Sequence, residues 1–201
     1  KELRRAVTEL SMLGAMMPYN GLAQPLGSKA YWPVYEEANR LGCCLAVHGG
    51  AHDRFGMDHL NMYVPVHALG HPWGLTINCA DILYNGIFDR FPRVRIAFLE
   101  GGVAWLLLLL ERLHASHETH FQYIPPGEYG VREGEKPGDY VKKLIKEDRF
   151  YLGVETDVVG RHVPDEVRMH VAGDHDGVGQ IAPSEQIQNL HFFENAPFLR
   201  Q

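Results

Sequence analysis

Two apolar runs of strand length end in a chargeable residue followed by a glycine pair. The first reads Cys43-Cys44-Leu45-Ala46-Val47-His48-Gly49-Gly50, and the second Val94-Arg95-Ile96-Ala97-Phe98-Leu99-Glu100-Gly101-Gly102. Each has the length and composition of a strand buried on both faces, and each follows a helix-like segment. A polar residue where a buried parallel strand stops is the position from which barrel enzymes do chemistry. The glycines let the backbone turn sharply beside a ligand. A third instance, Val171-Ala172-Gly173-Asp174, completes a candidate site of His48, Glu100 and Asp174.

The rest of the chain alternates helix and strand, which implies a parallel sheet with right-handed crossovers. Helices are expected over residues 2–13, 31–41, 73–90, 103–120, 139–146 and 184–193, and strands over 14–18, 43–47, 94–99, 150–154 and 168–172. Gly42 is placed to cap the second helix, and Pro92 follows the end of the third. Residues 49–70 show no clean period and read as a long loop, which in a compact domain is usually functional. Residues 124–138 carry Pro-Pro-Gly and Pro-Gly breakers. No repeat or domain boundary interrupts residues 1–201, which read as one domain. Five βα units fit either an open doubly wound sheet or an arc of a barrel, and periodicity does not separate the two.

Composition narrows the partners. At 45% hydrophobic and 22% charged, the chain has enough apolar residues for one substantial core. Its net charge of -6, without any run of Lys or Arg, disfavours nucleic acid and anionic membrane and leaves a small molecule as the expected partner. The longest apolar stretch, residues 103–110, is too short to span a bilayer and reads as one side of a buried helix. Cys43, Cys44 and Cys79 form neither a metal-ligand spacing nor a disulfide framework, so a reducing, cytoplasmic setting is expected. No signal peptide is visible, and the first residue is Lys1 rather than Met. Of the 12 histidines, His48, His52, His59, His67 and His71 crowd one stretch. Packing alone does not call for that density, whereas a metal or proton-transfer site does.

The stretch from Ala30 to Leu113 resembles the amidohydrolase-related superfamily, in the branch of aminocarboxymuconate-semialdehyde and γ-resorcylate decarboxylases; the resemblance covers most of the chain and is most specific in its central third. The resemblance rests on Tyr31-Trp32-Pro33-Val34-Tyr35-Glu36-Glu37-Ala38, Leu45-Ala46-Val47-His48-Gly49-Gly50 and Gly86-Ile87-Phe88-Asp89-Arg90-Phe91-Pro92. It continues through Ala97-Phe98-Leu99-Glu100-Gly101-Gly102-Val103-Ala104-Trp105 and Glu111-Arg112-Leu113, then more weakly to Asp174. It implies a (β/α)8 TIM-barrel fold with a divalent metal, zinc or manganese, at the C-terminal mouth. By that resemblance His48 corresponds to the strand-five metal ligand. Asp174 corresponds to the strand-eight aspartate, which binds metal and takes part in proton transfer. Glu100 stands where many relatives carry histidine. The family's strand-one metal pair has no counterpart after Lys1, and Gly173-Asp174-His175-Asp176-Gly177 lacks the proline of the usual strand-eight motif. The chain is therefore read as strands four to eight of a partial barrel, N-terminally truncated.

Each candidate has a plainer reading. His48 could be a core histidine bonded to a carbonyl, Asp174 a helix cap, and Glu100 a carboxylate neutralised by an arginine. Arg54, with its planar fork, is a candidate for holding a substrate carboxylate, and His52 and His59 for touching substrate. Glu155 and Asp157 are placed to line the same mouth, and His175 and Asp176 to support Asp174. His114, His117 and His120 share one helix face and read as solvated, while Cys44 and Cys79 read as core.

The expected activity is metal-dependent decarboxylation of a small carboxylated aromatic or dienoic compound, or hydrolysis of an ester, amide or lactone. Both use a metal-polarised oxygen and a proton-moving carboxylate. The rival is a non-catalytic fragment without the strand-one ligands. A flavodoxin-like module is disfavoured because no glycine-rich phosphate fingerprint follows any strand. Open sheet edges in a partial barrel further lead to an expectation of association or homo-oligomerisation.

Overall fold

The computed structural model describes residues 1–50, 54–125 and 130–153, together with the backbone of 171–173 and 179–181. A short helix α1 (Glu2–Thr8) leads into β1 (Gly14–Pro18), followed by α2 (Trp32–Leu41), β2 (Cys44–His48), α3 (Tyr63–Tyr84) and α4 (Ile87–Arg90). Then come β3 (Arg95–Phe98), α5 (Ala104–His120), α6 (Pro137–Lys146) and β4 (Phe150–Leu152). Strands β1 to β4 form one parallel sheet in sequential order. Consecutive βα units laid side by side in this way make an arc of a barrel rather than a doubly wound sheet, whose strand order would reverse.

Burial sets the strand positions. Leu45, Val47, Ile96, Phe98, Phe150 and Leu152 are all fully or almost fully buried in the main core with Leu75, Ile82 and Phe88 from the helices. Each such side chain contributes about 1.5–3 kcal/mol relative to exposure. Cys44, Ala97 and Tyr151 form a smaller cluster with Leu99 on the opposite face. A one-residue slip would exchange these two sets, so the register is strongly specified. It pairs Pro18 with His48, Val47 with Phe98, and Phe98 with Leu152. The C-terminal strand ends are thereby brought level. At the other end, Gly42 closes α2 in the left-handed conformation at φ 68°, where a Cβ would be disfavoured.

Several boundaries differ from the sequence reading. Helix α1 ends at Thr8 rather than residue 13, before Ser11 takes a left-handed φ of 56°. Helix α3 begins at Tyr63, within the stretch read as loop. Gly70 and Pro72 look like breakers, but Pro65 sits in the first turn, where its missing N–H costs nothing. Burial of Gly70, Gly74, Leu75, Asn78 and Cys79 carries the helix past Pro72. The helix expected to continue to residue 90 is divided by Gly86 at φ 65°. Helix α5 has its buried side at Trp105, Leu106 and Leu109, with Leu107 and Leu108 exposed.

The fifth expected strand does not join the parallel sheet. It appears as β5 (Val171–Gly173), paired antiparallel with β6 (Gly179–Ile181) in a separate two-stranded sheet. The connection between them is too short for a parallel crossover, which needs a dozen or more residues. Among the described residues the parallel sheet therefore has four strands. His52, Glu155, Asp157, Asp174, His175, Asp176 and the helix expected over 184–193 lie outside the described residues.

Candidate active site

His48 is the last residue of β2, and alternation puts it on the Cys44 side of the sheet. Its Nδ1 lies 3.0 Å from the Gly49 carbonyl oxygen. A carbonyl only accepts, so Nδ1–H donates and Nε2 is the nitrogen left for chemistry. That nitrogen stands 2.5 Å from Glu100 Oε2.

Glu100 lies just past β3 and has a left-handed backbone at φ 67°. The pleat therefore ends before it, and the turn rather than strand alternation aims its carboxylate at His48. A non-glycine residue in this region costs about 1 kcal/mol or more and persists only where its surroundings over-determine it. Such strain gathers at functional sites.

Two residues complete the cluster: His71, which the sequence reading placed in the histidine crowd without an individual role, and Tyr19, which it did not single out. His71, on α3, has Nδ1 3.6 Å from the same Glu100 oxygen. The Tyr19 hydroxyl lies 3.0 Å from that Nδ1. Burial and the nearby Glu100 charge push the Tyr19 hydroxyl well above its ordinary pKa, so it keeps its hydrogen as a donor. Gly49 is required here by close approach, since a Cβ would meet His71 Cε1 at 2.6 Å and the Tyr19 hydroxyl at 2.9 Å. Tyr19 follows β1 directly, the same strand-end signal that marks His48, so it was legible in the sequence. His71 belonged to the crowd of histidines, but no local signal showed which of them would meet Glu100.

The floor beneath this cluster is a polar network on α3. Fully buried Asn78 donates to the Tyr19 and Gly74 carbonyls at 2.8 Å each and accepts from the Leu26 N–H at 2.9 Å. Asp81 accepts from the Gly27 N–H at 2.6 Å. Asn20 accepts from the Gly50 N–H at 3.0 Å, joining the loops after β1 and β2.

The other described candidates are placed differently. Arg54 donates through Nη1 to the Leu22 carbonyl at 2.7 Å, and its own N–H is held by Asp58. His59 ends a single 3-10 turn and is exposed. Cys44 and Cys79 are buried and free, as is Cys43. His117 corrects the solvated reading of its helix face, being only 6% exposed. It donates through Nε2 to the Arg132 carbonyl at 2.8 Å, and its Nδ1 meets the Tyr84 hydroxyl at 3.1 Å. Spacing along α5 placed three histidines together, but α3 and the segment near Arg132 cover only one of them. His114 is half-buried and His120 remains exposed.

The chemistry of the donors suits a divalent metal. An imidazole whose Nδ1–H is fixed by a carbonyl offers Nε2 as a ligand, and a carboxylate adjoins it. The number of donors is smaller than a complete site needs. Among the described residues, no group of three or more His, Cys, Asp or Glu side chains is arranged to hold a metal.

The profile of the amidohydrolase family matches residues 1–127, and the chain belongs to that family. It is 26% identical over 102 residues to the 2-amino-3-carboxymuconate-6-semialdehyde decarboxylase of Dictyostelium discoideum, a match covering 51% of this chain and 28% of that protein. Its fold is similar to that of 5-carboxyvanillate decarboxylase from Sphingomonas paucimobilis, with a TM-score of 0.60, 21% identity and coverage of 79% of this chain and 46% of that one. It is also similar to 2,6-dihydroxybenzoate decarboxylase from Rhizobium, with a TM-score of 0.52, 18% identity and coverage of 79% and 49%. The chain thus spans half or less of the length of these relatives, and its parallel arc is part of a (β/α)8 barrel.

Proposed function

We propose that the protein is a metal-dependent decarboxylase acting on a small carboxylated aromatic or dienoic compound. The observation that carries this reading is Glu100, held in a left-handed backbone with its carboxylate against His48 at the mouth of a parallel arc. The names of the three relatives support it, each being a decarboxylase of such an acid. Hydrolysis of an ester, amide or lactone would use nearly the same residues, but the named relatives favour loss of CO2.

In this reading His48 and Asp174 hold the metal, and Glu100 adjoins it. A bound divalent ion would supply polarisation of a substrate oxygen. The proton that replaces CO2 on the ring or diene carbon reaches it through Glu100, which takes it up from solvent and passes it on. The bond from that carbon to the carboxylate then breaks, its electrons stay on the carbon framework, and CO2 leaves. His71 lies beside the Glu100 oxygen and helps to place it for that transfer, while His48 Nε2 would face the metal. Asp174 assists proton movement, and Arg54, His52 and His59 make substrate contacts from the loop after β2.

The free, buried cysteines support a reducing, cytoplasmic setting. Among the described residues no helix is long and apolar enough to cross a membrane. Met12, Leu13 and Met16 are about half or more exposed at or beside edge strand β1, which supports self-association.

The test incubates the purified protein with zinc or manganese and 2,6-dihydroxybenzoate, and follows CO2 release and the ultraviolet spectrum. Turnover is expected, falling about 100-fold or more in Glu100→Gln. Cleavage of esters or lactones without CO2 release would favour hydrolysis. No turnover together with no bound metal would favour a non-catalytic barrel fragment.

A further inference from the structure

We propose that the face of α3 carrying Tyr63, His67 and His71 is the wall along which the planar part of the substrate lies, its carboxylated end at His48 and Glu100. The proposal rests on the decarboxylase reading and assigns a recognition role to Tyr63 and His67, which that reading leaves unused, alongside His71.

The three residues follow one another at intervals of four, so they share one side of the helix. Their rings form an unbroken file. Tyr63 and His67 have ring centroids 5.7 Å apart, His67 and His71 5.5 Å, and His71 and His48 5.9 Å. Tyr19 joins from the side at 6.0 Å from His71. The contacts are tilted or edge-to-face, the arrangements that aromatic quadrupoles favour. A further planar ring placed along the file would extend the same packing.

Position supports this use. Helix α3 has 22 residues, about 33 Å at the usual rise. Strand β2 has five, about 17 Å. His71 stands level with the strand ends, beside His48 and Glu100. Residues 63–70 therefore rise past the sheet and overlook the mouth. Exposure grades in the same direction, from 12% for the His71 side chain to 69% for Tyr63. Met62 and Val64, beside Tyr63, are 67% and 76% exposed. An apolar, ring-lined surface that runs continuously into a site with titratable groups has the composition of a small-molecule subsite.

The file is not a metal cluster, since no three donors among the described residues converge on one point. Its rings are spaced for serial contact with an extended flat molecule.

The test measures binding by calorimetry to the purified chain, with circular dichroism confirming each fold. The probes are 2,6-dihydroxybenzoate, which is planar, and cyclohexanecarboxylate, which is not. Wild type is expected to prefer the planar acid. Tyr63→Ala and His67→Ala should each weaken it about 3- to 10-fold and leave the saturated acid unchanged. His67→Phe should restore planar binding. Planar affinity unchanged in both alanine variants but lost in His48→Ala would overturn the wall while leaving the decarboxylase reading intact. Wild type that binds neither acid would overturn that reading and the wall together.

Discussion

His48 Nε2 and Glu100 Oε2 stand 2.5 Å apart although the two residues close different strands. Neither strand alone achieves this. The register of β2 against β3 pairs Val47 with Phe98, and the left-handed turn at Glu100 then swings its carboxylate back towards His48.

That turn predicts a conflict between stability and activity. Glu100→Gly removes the penalty of a side chain at φ 67°, so the variant should gain about 0.5–1 kcal/mol in urea unfolding. Glu100→Ala keeps the penalty and should gain nothing. Both should lose activity. An alanine variant as stable as the glycine variant would show that the backbone there is relaxed.

Histidines at different depths in the fold should respond differently. His48→Ala should lower bound metal and activity together, measured by elemental analysis and CO2 release. His117→Ala should leave metal content unchanged but strand the Tyr84 hydroxyl and the Arg132 carbonyl. Both bonds are only part-buried, so each lost bond costs about 0.5–1.5 kcal/mol, and the melting temperature should fall by a few degrees. Equal metal in wild type and His48→Ala would refute the ligand assignment.

Gly74 is buried against Tyr19, whose ring lies 2.1 Å from where a Cβ would stand. Gly74→Ala must therefore displace Tyr19 and disturb its bond to His71. Overpacking of this kind costs about 1–3 kcal/mol, and activity should fall as well. An alanine variant with wild-type stability and turnover would mean that Tyr19 can move freely.

Asp81 gives a pH signature. Burial raises its pKa above the ordinary 3.8, against the lowering effect of the Gly27 N–H and Asn85. The folded state thus holds the proton more tightly than the unfolded chain. This contribution is fully present below the ordinary value and is lost as pH rises through the folded value. Asp81→Asn cannot titrate, so its stability relative to wild type should increase as pH rises from about 4. Urea midpoints across that range check this, and a constant difference would contradict it.

Local pattern in the chain was enough for the strands and their direction. The apolar runs before His48 and Glu100 could only be buried strands, and the helices between them made those strands parallel. The level strand ends, and hence a site containing His48 and Glu100, follow from that. Tyr19 carried the same signal after Pro18. What the sequence did not display depended on contacts between segments distant in the chain. Helix α3 continues through Gly70 and Pro72 because its buried face packs against the sheet, a tertiary gain that outweighs local breaking propensity. That continuation carries His67 and His71 onto one helix face and brings His71 beside Glu100. His117 is buried for a comparable reason, because Tyr84 and the segment at Arg132 close over it. The Val171 segment pairs antiparallel because a nearby partner, Gly179–Ile181, competes with the sheet edge. Strand ends are legible because alternation and length are local properties. Which side chains meet above them is decided by register, backbone handedness and helix packing, which exist only in the folded chain.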